Sequence, residues 1–161
     1  METTAVTSVT HATFVIERTY FATPESVFAA FTDPAKKRRW MLEGKKNEAV
    51  EFEMDFRVGG KERSRYLMGA NTPFTGTPLT NETTYMDIVT NRRIVIAYTM
   101  AMGERRFSSS QATFELVPSE NGTDLIFTEQ GAYFEGSDGP QMRQDGWTKL
   151  LGHLDTELAR S

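Results

Sequence analysis

From residue 50 to residue 131 apolar and polar positions alternate in short runs: "VEFEMDF", "KERSRYLMG", "ETTYMDIV", "RIVIAYTM", "FSSSQATFELV" and "TDLIFTEQG". A period of two is the pattern of strands with one buried face. Gly59-Gly60, Thr90-Asn91-Arg92 and Asn121-Gly122 punctuate these runs, and the Asn-Gly pair is a strong hairpin signal. The Thr, Pro and Gly-rich stretch 70–81 reads as the longest loop. An antiparallel meander is expected, preceded by one more strand, "TFVIERTYF" (13–21).

At the two ends of the chain the period changes to that of helices. After the first strand, Thr23 is placed to cap a helix with Pro24 in its first turn, and Val27, Phe28 and Phe31 share one face. Asp33-Pro34 ends that helix, and "AKKRRWML" predicts a second short one. Near the C-terminus, Trp147, Leu150, Leu151, Leu154 and Leu158 form a single stripe at i, i+3, i+4, i+7 spacing over 139–160. So wide an apolar stripe must lie on the sheet, and a curved sheet closing on a helix leaves a gap. The expected class is α+β: six to seven curved antiparallel strands around a long C-terminal helix, with two short helices after strand 1.

Assigning each strand its apolar parity gives the inner face. Glu62, Ser64, Tyr66 and Met68 go inside in preference to Arg63 and Arg65, because buried arginines cost more. Ile94, Ile96, Tyr98 and Met100 share a face, as do Ala112, Phe114 and Leu116, and Leu125, Phe127 and Glu129. In "ETTYMDIV" Tyr85 and Val89 compete with Met86 and Ile88; Tyr85 is placed inward, where its hydroxyl would find a polar partner. Two carboxyls and several phenols thus stand among apolar side chains, and a dry core rarely accepts an ionised carboxylate. Either Glu129 faces a wet or ligand-filled cavity, or it lies at a strand end and pairs with Arg18, Arg105 or Arg143. For Glu62, close to Gly60, exposure at the rim is the expected placement.

Composition narrows the function classes. A net charge of −4 argues against a protein that tracks nucleic-acid phosphates. With no cysteine there is no disulfide framework, thiolate nucleophile or Cys-based zinc site. His11 and His153 lack ligand spacing, so no metal is expected. Gly59-Gly60 lacks the helix and Lys-Ser/Thr of a phosphate loop, and no Gly-x-Ser-x-Gly elbow accompanies the serines at 108–110. Residues 1–12 read as a flexible start without the basic and apolar regions of a signal peptide, and no run is long enough to insert into a membrane. A single cytoplasmic domain over 13–161 is expected. The basic run 36–39 is either a solvated helix face or a dock for an acidic partner or membrane surface, and Trp40 beside it plugs the sheet end or guards a cavity mouth.

Taken together, "ERTYFATPESVFAAFTDPAKKRRW", "VGGKERSRY", "YMDIVTNRRIVIAYTM", "ATFELVPSENGTDLIFTEQGAYFEG" and "DGWTKLLGHLDTEL" resemble the START-like, helix-grip (SRPBCC, Bet v 1-like) superfamily. More narrowly they resemble its branch named for homologues of the activator of Hsp90 ATPase, over about residues 13 to 160. The resemblance implies a curved sheet gripping the last helix around a deep hydrophobic cavity. Relatives of this fold bind lipids, hormones or polyketides, some are cyclases, and the eukaryotic namesake stimulates a chaperone ATPase as one domain of a longer protein. The function expected here is binding of a small, largely hydrophobic molecule, aromatic or lipid-like, without a cofactor, by a monomer or homodimer. Trp147, Leu150, Leu151 and Leu154 would form the helix side of the site. Glu62, Tyr66, Met68, Tyr85, Tyr98, Met100, Phe114, Phe127 and Glu129 would form the sheet side. Gly146 and Gly152 would thin the helix where it crosses. The alternatives are a cyclase or hydrolase using Glu129 as general acid or base, and a module contacting an Hsp90-type chaperone through its outer surface.

Overall fold

The alternating runs become one seven-stranded antiparallel sheet in a computed structural model that describes residues 8–42, 48–67 and 76–160, with residues 48–50 as backbone only. The elements follow in the order β1 (Thr10–Tyr20), α1 (Pro24–Thr32), α2 (Pro34–Met41), β2 (Glu48–Met54), β3 (Lys61–Leu67), β4 (Pro78–Val89), β5 (Arg93–Met102), β6 (Arg105–Ser119), β7 (Gly122–Tyr133) and α3 (Gly139–Ala159). Consecutive strands β2 to β7 pair as hairpins, and β1 returns to pair with β7, giving the order β1-β7-β6-β5-β4-β3-β2. The sheet is open and curved, and the fold is an α+β helix grip.

Local chemistry sets the helix ends. The Thr23 hydroxyl accepts from the Ser26 amide at 3.1 Å, and the Asp33 carboxylate accepts from the Ala35 amide at 2.9 Å. Asp33 therefore closes α1 and caps α2, which explains the sharp break between them. At the β6–β7 turn Gly122 has φ 134°, and a Cβ there would lie 2.5 Å from the Tyr20 carbonyl oxygen. Only glycine lets the start of β7 pass so close to the end of β1.

Several boundaries differ from the sequence reading. β1 begins at Thr10 and not at residue 13, because Thr10 to Ala12 pair with Tyr133 to Gly131. The end of the expected loop 70–81 is strand, since β4 starts at Pro78 and pairs with β3. The competing parities in β4 have one cause: the register shifts between Tyr85 and Asp87, so a bulge at Met86 turns both Tyr85 and Ile88 toward the core and leaves Met86 exposed.

α3 lies across the concave face. Tyr20 in β1 donates to the Leu151 carbonyl at 2.8 Å, fixing the helix to the sheet. Beneath α3 the interior is filled by aromatic rings: Phe127 to Trp147 at 4.6 Å, Phe114 to Phe127 at 4.9 Å and Phe31 to Phe114 at 5.0 Å between centroids. Trp40 is buried, donates to the Ala30 carbonyl and packs edge-on to Phe31, so it plugs the interior.

Candidate functional site

The hollow under α3 is thus divided. Its aromatic half is solid, and the space that remains is a cleft of about 560 Å³, open along one side, between α3, the end of α2 and the inner face of β3, β4 and β5. Register explains its wall. Ser64 in β3 stands directly opposite Asn81 in β4, which stands opposite Met100 in β5, so the three side chains form one row on the concave face. Tyr66 and Tyr98 flank this row on their strands and also line the cleft. Met41 and Leu42 close the α2 side.

α3 presents two stripes. Arg143, Trp147, Leu151 and Leu154 are buried against the sheet, while Met142, Gly146, Leu150 and His153 line the cleft one strip further round. Arg143 continues the Trp147 stripe one turn toward the N-terminus, which places a guanidinium at the inner end of the cleft.

That guanidinium organises a buried network. Arg143 Nε donates to Asp138 Oδ2 at 2.8 Å, Nη2 donates to Asp138 Oδ1 at 2.9 Å and to Ser108 Oγ at 2.8 Å, and Nη1 donates to the Tyr98 hydroxyl at 3.0 Å. The Tyr98 hydroxyl donates in turn to Glu129 Oε1. Trp147 Nε1 shares its proton between Tyr98 Oη and Glu129 Oε1, both at 3.1 Å. Tyr133 donates to Glu129 Oε2 at 2.8 Å, and Arg143 Nη1 lies 3.9 Å from that same oxygen.

Glu129 is therefore neither on a rim nor on the cleft surface. It is 0% exposed and stands behind Tyr98 and Trp147. Of the three arginines considered as partners, Arg143 is the one that reaches it; Arg18 pairs with Asp155 and Arg105 with the Glu135 carbonyl. Burial pushes the Glu129 carboxyl up, against the pull of Tyr98, Tyr133, Arg143 and Trp147. Burial raises the Tyr98 phenol, with Arg143 opposing and Glu129 adding to the rise. For Arg143, burial works against the charge, and Asp138, with Tyr98 and Glu129, more than restores it. Tyr66 is pushed up to about 12 by burial.

Glu62 is not at the rim either. It is buried, and its Oε1 accepts from Lys37 at 2.6 Å and from the Tyr85 hydroxyl. Lys37 belongs to the basic run, so that run is not a solvated face. Arg39 likewise turns inward, donating from Nε and Nη2 to the two oxygens of Glu157 on α3 at 2.8 Å each. The run ties α2 to the sheet and to α3.

Of the residues named from sequence, the structure brings Tyr66, Tyr98, Met100, Trp147 and Leu150 together around the cleft. Phe114, Phe127, Leu151 and Leu154 belong to the solid core, and Glu62 and Tyr85 form the separate cluster with Lys37. Met68 lies outside the described residues. His153 is on the cleft wall, and its buried Nδ1 has no hydrogen-bond partner among the described residues. Gly146 does not mark a close helix crossing: a Cβ there would meet nothing within 4 Å, and one at Gly152 would make only an ordinary contact with Arg18.

Tyr133 escapes the sequence reading because that reading ends the last strand at Gly131. The signal was present: Glu129, Gly131 and Tyr133 continue the period of two, and a Cβ on Gly131 would lie 2.9 Å from the Tyr133 ring. The missing side chain is the slot through which the phenol folds back to its carboxylate.

The family model for activator of Hsp90 ATPase homolog 1-like protein matches residues 21–159. Mll3558 protein from Rhizobium loti is 45% identical, with 93% of this chain and 99% of that one covered and a TM-score of 0.83. A putative uncharacterized protein from Rhizobium leguminosarum is 36% identical, with 98% and 100% covered and a TM-score of 0.88. An AHSA1-like protein from Aeromonas hydrophila, 16% identical over 92% of this chain and 94% of that one with a TM-score of 0.65, shares the fold. Among curated proteins none matches.

Proposed function

The chain belongs to the activator of Hsp90 ATPase homolog 1-like family, and from that premise we propose that it binds a small, largely hydrophobic molecule, aromatic or lipid-like, between the sheet and α3. The cleft carries this reading. Its volume of about 560 Å³ falls in the range of small-molecule sites, and Met41, Leu42, Met100, Met142, Trp147 and Leu150 give it an apolar wall between polar groups at Ser64, Asn81, His153 and the Asp138–Arg143 pair. The saturated network at its inner end holds Tyr98 and Trp147 in fixed orientations, so the wall is formed before a ligand arrives. Glu129 acts through those two side chains, as a positioning residue.

Native mass spectrometry of protein purified from its own host tests the reading. The expected result is a co-bound small-molecule mass that is absent from a Gly146→Leu variant, in which a side chain fills the cleft. A clean apo mass, with no response to an apolar compound library, would overturn it. Turnover of a bound compound that stops in Glu129→Gln would move the protein to the enzymatic alternative. Capture of an Hsp90-type chaperone that is lost on charge reversal of Lys36 and Arg38 would move it to the surface-contact alternative.

A further inference from the structure

The polar groups around the cleft are unequally occupied. At the inner end the charges are spent on one another: Asp138 clamps Arg143 through two hydrogen bonds, and Tyr98 makes one donor and two acceptor contacts. An ion carried into that end would meet no uncompensated opposite charge, and its desolvation would go unrepaid. Lys149 reaches the cleft from an exposed position, where water already solvates its ammonium.

Two neutral groups remain open on the sheet wall. Ser64 and Asn81 face each other across the β3–β4 ladder, and both line the cleft. Among the described residues the Ser64 hydroxyl has no hydrogen-bond partner, and Asn81 uses only its carbonyl oxygen, accepting from Thr83 at 3.3 Å. Ser64 is 5% exposed, so a ligand that covers it without a hydrogen bond leaves a buried hydroxyl unmet.

We infer that Ser64 and Asn81 are the recognition pair of the cleft, and that its ligand is uncharged, with an apolar body and one carbonyl, hydroxyl or amide group set against these two side chains. The inference rests on the cleft being a binding site and adds the chemical class of its occupant. Asn81 can donate from its amide nitrogen while Ser64 donates or accepts, so a carbonyl or a carboxamide satisfies both.

Equilibrium dialysis at pH 7 with naphthalene, 2-naphthamide and 2-naphthoate, which share one body, tests this. The intact protein is expected to bind the amide about three- to tenfold more tightly than naphthalene, as one net hydrogen bond gives, and more tightly than the carboxylate. In the Ser64→Ala, Asn81→Ala double variant the preference for the amide should vanish while naphthalene binding persists. If the double variant loses naphthalene as well, Ser64→Ala alone is read, and it should at least halve the preference. Equal or tighter binding of the carboxylate, or an amide preference that survives in the variants, would overturn the inference and leave the cleft as a binding site. No binding of any of the three would overturn the cleft reading itself.

Discussion

Two glutamates of the inner face, each hydrogen-bonded to tyrosine and facing a cation, end in different circumstances. At one side of the sheet Lys37, Glu62 and Tyr85 form a closed triad, sealed by Phe56 against Tyr85 at 4.9 Å and Phe28 against Phe56 at 5.7 Å. In the middle, Glu129 takes Tyr98, Tyr133 and Trp147, with Arg143 beside it, and two of these partners also form the wall of a cleft. The difference lies in what fills the next layer of space. Glu62 has its lysine at 2.6 Å and Glu129 its arginine only at 3.9 Å, and the partners of Glu129, unlike those of Glu62, also wall the cleft under α3.

The largest test removes the cation from each cluster. Lys37→Met and Arg143→Met should each destabilise by about 3–5 kcal/mol in denaturant titrations, because a buried charge loses its partner. Only Arg143→Met should also weaken binding of apolar probes, since it frees Tyr98. Equal effects on binding would erase the distinction.

Next in size is Gly131→Ala. The added methyl collides with the Tyr133 ring and should cost about 1–3 kcal/mol as an overpacked site. Adding Tyr133→Phe in the same chain should restore only part of the loss, because the ring carbons stand as close to the added methyl as the hydroxyl oxygen does, at 2.9 Å.

A pH series separates Glu129 from Glu157, which is also buried but bound by an arginine. Its folded-state pKa lies above the unfolded one, so the folded protein holds the proton longer. Stability from this group is therefore complete below the ordinary carboxylate value and falls as pH rises toward the raised one, by at most about 1.4 kcal/mol per pH unit. Glu129→Gln should lack that fall. Glu157 behaves oppositely: the hydrogen bonds from Arg39 hold its carboxyl low, so its contribution is present above the ordinary value and disappears as pH drops through the depressed one. Urea midpoints of Glu157→Gln should accordingly lose dependence on the acid side alone.

The smallest expected effect has the reverse sign. Gly146→Ala, in the middle of α3 with open space around its Cβ, should stabilise by about 0.5–1 kcal/mol in thermal melts. A destabilised variant would mean that the helix there does need a bare backbone.

The parts of the molecule that depend on near neighbours were legible. Parity placed Tyr66, Tyr98, Phe114, Phe127 and Glu129 inside, the i, i+3, i+4 stripe found the buried face of α3, and Thr23 and Asp33 marked helix ends. Burial of Ser64 beside Tyr66 followed from the same alternation. The bulge at Met86 left only an ambiguity between two parities, since a bulge is a relation between two strands.

What the sequence determined by itself is therefore the set of elements, their inward faces and the presence of carboxylates among apolar side chains, because each follows from a period or a cap within a few residues. Only the tertiary structure decided that Lys37 answers Glu62, that Arg143 answers Glu129, and that aromatic rings fill most of the hollow while one side stays open. Those outcomes join residues far apart in the chain, where close packing selects a partner and no local pattern encodes it.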